Sequence, residues 1–465
     1  MSGAGSPSPI PVQRTPPNSL EGLCRRHIPV ADGRVRLRYG RPVTDLSPAR
    51  ILDAVREEDG ITYAVFGPGG RGFIAVGALD SGQADRLADL APRRASRVDV
   101  GPASGPNLLF GGAFSTGDSN RPSGPWSGWS KAEWWAPETV FTFCSGLSEQ
   151  IITGSVDLTA ETDAAAAAAQ LSSRLADPSA ALRWTGVARR ATPVEDEGRG
   201  RWRQRIGALR EVCATGALEK VVTARAVRHD APDGTQFWLG ATFDSLLRTN
   251  PEDRVFAVIA RGQAFVGATP EILARQRGSI LETHALAGTA PRGFDARTDT
   301  ALGQALLASA KDRREHQIVV DALEASLRTL GSDVRCGATS LRRLTGLQHL
   351  ETPLTAQVPP NGFLGAVDRL HPTPALGGAP RTQALAWLAE HEPLDRGWFG
   401  GPLGWQEDDH AECLVAIRSA LLHYDHAWTF AGAGIVAASL PDAEWDETTL
   451  KLKTAGDALR LGRRS

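Results

Sequence analysis

From about residue 23 onward the chain alternates short apolar β-type runs with helix-period segments, and no long linker interrupts the alternation. Strands and helices mixed in this way must share a core. The expected fold is therefore α+β, with many short strands stacked into sheets and helices packed outside them. ITYAVF (61–66) and FIAVGA (73–78) are two such runs, and the GPGGRG between them reads as a hairpin turn. That loop spells GxGxxG through Gly67, Gly69 and Gly72, but a strand follows where a dinucleotide site needs a helix. Residues 101–130, rich in Gly, Ser, Pro and Trp, read as a long surface loop or strand crossover. KVVTARAVR (220–228), ECLVAIRSALL (412–422) and AWTFAGAGIVAAS (427–439) read as strands.

The helical patterns are equally local. Residues 161–177 contain the alanine run Ala164 to Ala169, and alanine is the strongest helix former. Trp202, Ile206, Leu209 and Val212 make one stripe over 199–215, with Gly216 as the stop. The spacing predicts one long helix over 297–330, ended by Gly331, and a terminal helix from about Asp442.

Composition excludes several functions. Among 465 residues, 51 Lys+Arg balance 53 Asp+Glu, giving a net charge of −2. No long basic run offers the electrostatic footprint of a nucleic-acid binder. No apolar stretch approaches the roughly 18–20 residues that cross a bilayer. The cysteines are Cys24, Cys144, Cys213, Cys336 and Cys413; the nearest two, Cys144 and Cys213, are 69 residues apart, which is no zinc-ribbon spacing. Reduced thiols and a cytoplasmic location are expected. Residues 1–22, rich in Ser and Pro, lack the pattern of a secretory signal and read as a disordered tail. At roughly 150 residues per domain, length alone suggests about three domains.

No GxSxG, HExxH, Walker A or EF-hand pattern occurs. AGAGIVA places Gly432, Gly434 and Ala437 in a second GxGxxG-like spacing, but with Pro441 ahead it reads as a glycine-lined strand end that a ligand can approach closely. Acids and lysines in awkward places are more informative, and each reads in two ways. Glu315 falls at the spacing of an apolar stripe, either as an i,i+4 partner of Lys311 or as a metal ligand. Glu444, Glu447 and Lys451 share one helix face, either as a solvated ladder or, with Glu315, as an oxygen-rich Mg²⁺ site. Lys220 opens an apolar strand, either solvated at its end or drawn inside to serve as a base. Glu271 follows a proline, either merely starting an element or acting as an acid.

Taken in order, KVVTAR (220–225), GATPEIL (267–273), HALAGT (284–289), KDRREHQIVV (311–320), QHLETPL (348–354), LHPTPALGG (370–378), RGWFGGPLGW (396–405), VAIRSA (415–420), GAGIV (432–436) and EWDETTLKL (444–452) resemble the chorismate-utilising enzymes. Within them the chain looks like an isochorismate synthase. The resemblance is strong over about 200–460 and weaker over 108–143, in LFGGAF and WSGWSKAEWWAPETVFTF.

It implies one large fold of two stacked, mainly antiparallel sheets flanked by helices, with the active site in the cleft between them. The three-domain estimate then gives way to a single catalytic domain, 23–200 forming its N-terminal part and 201–460 the chorismate-binding core. Lys220 matches the base that activates water for attack at C2 of chorismate, and Glu271 the acid that protonates the departing C4 hydroxyl. Glu315 and Glu447 match Mg²⁺ ligands, with Glu444 beside them. Arg418 and Lys451 match cations that hold substrate carboxylates, and Gly288, Thr289, Ala375 and Gly432 match substrate-lining positions.

The carry-over makes chemical sense. Chorismate is a dianion, so a carboxylate-lined site needs a divalent cation and Arg or Lys to receive it. A neutral lysine and a protonated glutamate both follow from burial. Ala287 stands where the related aminodeoxychorismate synthases carry a nucleophilic lysine, so no glutaminase partner is expected, and the family leans towards monomers. Phe399 departs from a tyrosine found in some members. A salicylate synthase, which goes on to eliminate pyruvate, and a catalytically silent chorismate-binding protein are the alternative readings.

Overall fold

In the computed structural model, which describes residues 35–464 except 45, 56–59, 91, 93–95, 101–102, 115–123, 145–148, 159–183, 188–190, 196 and 345, the apolar runs pair much as their patterning requires. Thr62–Phe66 and Gly72–Ala84 form the expected antiparallel hairpin. Gly69 takes φ +77° in the turn between them, a conformation glycine enters without steric penalty. The expected helix over 161–177 and the tail over 1–22 lie outside the described residues.

The two expected sheets prove to be joined. Among the described residues, 21 strands form one hydrogen-bonded network, and a separate three-stranded sheet pairs Leu461–Arg464 with Gln236–Phe237 and Trp184–Val187. Pairing is antiparallel nearly throughout; Val35–Val43 with Ser96–Val100 is parallel. The network is layered, because strands distant along it bury side chains in one core. Tyr63, Phe73, Ala224, Ala226, Phe256, Phe265, Leu403, Leu414 and Phe430 share a single apolar cluster.

Three local expectations change. The pattern over 297–330 is two helices, Ala296–Ala308 and Ala310–Leu330. Ser309 adopts an extended conformation between them, and its hydroxyl accepts from the Asp312 N–H. Serine as an N-cap satisfies an amide that a continuous helix would have bonded internally, so the break carries little penalty. The run over 412–422 is likewise two strands, His410–Val415 and Ser419–Leu422. The first pairs with Pro402–Glu407 and Ile272–Arg277. The second pairs with Gln263–Thr269 and His426–Ile435. Residues 416–418 thus change partners, which periodicity cannot register because both halves remain apolar. Finally, the loop-like 101–130 contains a buried strand, Leu108–Gly112, seated against Pro402–Glu407 and Ala132–Cys144.

Helices close the layers. Arg199–Ala214 packs Trp202 against Trp445 of Pro441–Gly456, ring centroids 6.0 Å apart. Ala310–Leu330 buries Val319, Val320, Leu323 and Leu327 over the strands Ile280–Pro291 and Leu347–Gln357. These docking faces fix where Glu315 and Glu447 point.

Candidate active site

Lys220 begins the strand Lys220–Asp230 and pairs with Ala379 on one side. On the other side Val222 faces Gly434. Only 2% of Lys220 is exposed. A buried ammonium needs an acceptor, and Glu315 Oε1 lies 2.6 Å from its Nζ. Gly434 leaves the room: a Cβ there would stand 2.6 Å from Lys220 Cε and 3.1 Å from Glu315 Oε1. Glu315 therefore pairs across the cavity with Lys220 rather than along its own helix with Lys311.

On the terminal helix, Glu444, Glu447 and Lys451 share a face as their spacing requires, but that face looks inward. Glu444 is buried. Lys451 Nζ donates to Glu447 Oε1 at 2.7 Å and to the Gly432 carbonyl at 2.9 Å. Burial, reinforced by adjacent Glu447, pushes the Glu444 carboxyl up to about 7. Burial acts on Glu447 in the same direction, but Lys451 and then Lys220 hold it below the usual carboxylate range. The two neighbouring carboxyls are thus pushed in opposite directions.

Glu315, Glu444 and Glu447 make an acid-rich corner against which Lys220 and Lys451 are set. Hard carboxylate oxygens in this setting suit Mg²⁺, which prefers oxygen and keeps water ligands. Among the described residues these oxygens do not form a three-ligand cluster within 4.8 Å. Glu315 and Glu447 both border one cavity, so an ion held by them would face water or substrate oxygens from that side.

Glu271 sits in the bend between Gln263–Thr269 and Ile272–Arg277. Its N–H donates to Thr269 Oγ1 at 3.1 Å and its carbonyl accepts from Val415 N at 3.1 Å. Burial pushes its carboxyl up to about 7, against the opposing pull of Lys220, Lys451, Arg418 and Arg342. That keeps a large protonated fraction near neutrality.

Arg418 occupies the crossover between strands with φ +51°. A non-glycine residue in that region stores on the order of 1–3 kcal/mol, which the surrounding packing must hold. Its Nη1 is 3.6 Å from Asp253 Oδ2 and its Nη2 is 3.3 Å from His349 Nε2. Burial raises Asp253 to about 6 even beside Arg418. Burial, with Arg418 and Lys451 adding to it, lowers His349 to about 3, so the imidazole is neutral. A guanidinium only donates, so Nε2 is the acceptor and Nδ1 carries the proton that faces Thr289 Oγ1 at 3.1 Å. Gly288, at φ +78°, lies where the strand Ile280–Pro291 bulges between Ala287 and Thr289.

These groups converge. Lys220, Glu271, Gly288, Thr289, Glu315, Ala375, Arg418, Gly432, Glu447 and Lys451 all line one cavity of about 120 Å³. Of the positions singled out by the resemblance, Glu444 alone is not among the residues lining this space. Ala287 and Phe399 line it too, with Phe399 stacked on Phe430 at 5.3 Å. AGAGIVA is a strand end whose Gly432 and Gly434 border the cavity, as expected. Sequence reasoning missed three residues here. His349 lies inside the quoted QHLETPL segment but drew no role. Arg396 lies in RGWFGG and borders the cavity. Asp253, in the turn-like NPEDR, gives no local sign that it is buried.

A sequence profile described as chorismate binding enzyme matches residues 84–460. The salicylate biosynthesis isochorismate synthase of Pseudomonas aeruginosa is 41% identical over 264 residues, which are 56% of this chain and 55% of that protein. Isochorismate synthase MenF of Bacillus subtilis is 37% identical over 251 residues, 53% of this chain and 52% of that protein. The matched region thus spans about half the length of these relatives. The solved structure of MenF, the menaquinone-specific isochorismate synthase from Escherichia coli, superposes with a TM-score of 0.71 at 24% identity, covering 94% of this chain and 98% of that one. This last likeness shows a common fold. With the profile covering most of its length, the chain belongs to the chorismate binding enzyme family.

Proposed function

We propose that this protein is a Mg²⁺-dependent isochorismate synthase, which moves the hydroxyl of chorismate from C4 to C2. The observation that carries the reading is the pairing, in one cavity, of buried Lys220 with a buried Glu271 whose carboxyl titrates at about 7. An allylic exchange of hydroxyls needs a base on one side of the ring and an acid on the other. The Lys220 ammonium first releases one proton and with it its hydrogen bond to Glu315, and the resulting amine takes the proton of a water as that water's oxygen bonds to C2. Glu271 donates its proton to the C4 oxygen, which leaves as water while the double bond shifts. Arg418 and Lys451 receive the substrate carboxylates, and neutral His349 keeps Arg418 directed at the cavity.

Glu315 and Glu447, with Glu444 beside them, would hold the Mg²⁺; when bound it neutralises these acids and offers a carboxylate-binding charge. Ala287 presents a methyl group where an amine nucleophile would otherwise stand, which supports water as the nucleophile and a chain acting without a glutaminase. Residues 23–460 act as one catalytic unit in this reading, a monomer in a reducing cytoplasm.

Incubation with chorismate in Mg²⁺ and separately in EDTA, with products resolved by chromatography, tests it. Isochorismate formed only with Mg²⁺ is the expected result. Salicylate and pyruvate appearing in step with chorismate loss would make it a salicylate synthase. Chorismate binding without turnover in either tube would overturn the catalytic reading.

A further inference from the structure

The strands Ser419–Leu422 and His426–Ile435 meet in a tight hairpin, Leu422 opposite Ala427 and the His423 N–H donating to the His426 carbonyl at 2.8 Å. Cross-strand partners at such a turn present their side chains on one face, close together. The two imidazole centroids are 4.8 Å apart at an interplanar angle of 31°. Between them comes Asp425, whose Oδ1 lies 2.5 Å from His426 Nδ1 and 3.6 Å from His423 Nδ1.

This arrangement leaves one group unsatisfied. His426 Nδ1 takes the Asp425 oxygen, while His423 Nδ1 is shielded from solvent and has no hydrogen-bond partner. A donor or acceptor in that state loses its hydration with nothing in return. The ligand atoms of His423, Asp425 and His426 all fall within 4.8 Å of one another, and among the described residues no other such trio of His, Cys, Asp or Glu occurs. A tetrahedral ion with bonds of about 2.0 Å sets its ligand atoms about 3.3 Å apart. The separations of 2.5 and 3.6 Å bracket that value, so small side-chain rotations suffice.

We infer that the 423–426 hairpin is a second metal site, distinct from the carboxylate corner, for a borderline divalent cation such as Zn²⁺. Two imidazole nitrogens and one carboxylate oxygen select such an ion over Mg²⁺, which prefers oxygen throughout. The Asp425 side chain is 74% exposed, leaving a coordination position for water. The role is a clamp. The turn is already pinned, Ala231 N donating to the Asp425 carbonyl and Phe237 N to that of Tyr424. A cation would add a third tie at the tip of two strands, the first directly following Arg418 and the second carrying Gly432. Arg418 precedes the first of these strands by one residue, about 17 Å from the tip at about 3.4 Å per residue, so the ion would act on stability rather than touch substrate.

The test uses the full chain, stripped with EDTA and exchanged into excess Mg²⁺, then titrated with Zn²⁺ by calorimetry and followed by thermal melting. One equivalent of Zn²⁺ binding in the presence of Mg²⁺, with a raised Tm, is expected. It should persist in Glu447→Gln and weaken by about tenfold or more in the His423→Ala/His426→Ala double variant. Should the double variant fail to fold, Asp425→Asn, at an exposed position, should show the same loss. No Zn²⁺ uptake, or uptake abolished by Glu447→Gln and untouched by the hairpin variants, would overturn the proposal.

Discussion

Two buried ion pairs flank the same cavity, and they are built differently. Arg396 donates to both oxygens of Glu392, to the Leu376 carbonyl at 3.1 Å and to the Val222 carbonyl at 2.6 Å. Glu392 in turn accepts from the Ala224 N–H at 2.7 Å and the Thr223 hydroxyl at 3.0 Å. Both side chains are almost wholly buried, at 4% and 3% exposure. Lys220 and Glu315 share a single hydrogen bond, and Glu315 keeps 18% of its side-chain surface open.

A pair held by this many hydrogen bonds cannot exchange partners without breaking several at once, so it ties the helix Arg381–His391 to the Lys220 strand. A pair with one bond and an open side can release its proton or its partner. In the proposed reaction the two salt bridges would thus serve scaffold and chemistry respectively, and the count of hydrogen bonds separates them better than burial does.

The comparison can be broken by exchanging outcomes. Lys220→Gln should lower turnover of chorismate by about 10²–10⁴-fold, the range for removing an acid–base group, while circular dichroism stays that of the folded chain. Arg396→Met should instead act on stability, by about 3–5 kcal/mol in urea unfolding, because Glu392 loses its two-pronged partner in the interior and keeps only the longer contact to Arg205 at 4.0 Å. If the lysine variant unfolded and the arginine variant only lost turnover, the two pairs would have been assigned the wrong way round.

A smaller effect sharpens the chemical half. The folded-state pKa of Glu271 lies above its ordinary value of 4.5, at about 7, so its acid form is present below that pH and lost above it. The kcat/KM profile should therefore fall as pH rises through about 7, and Glu271→Gln should remove that limb. A profile flat from about pH 6 to about 8 in the unaltered enzyme would show that another group supplies the proton.

Much of this protein is legible in local patterning. The 61–78 hairpin, the helix at 199–215, the strand at 220 and the terminal helix near Asp442 all stand where periodicity and stop signals place them. The ordered motifs also name the residues that line the cavity. What they leave open is who meets whom. Glu315 is spaced for a helical pair with Lys311, four residues back along its own helix. Only the packing of that helix across the strands delivers it instead to Lys220, 95 residues distant in sequence.

The break at Arg418 shows the same division. ECLVAIRSALL is apolar on both sides of the crossover, so its pattern cannot say that the first half pairs with one set of strands and the second with another. Asp253 is an acid in a turn until folding places Arg418 beside it. Side-chain alternation is a property of neighbours along the chain, and the sequence alone determined the elements and the chemistry they carry. Partnership, burial and the raised acidity constants depend on groups brought together from far apart, and those the tertiary structure alone decided.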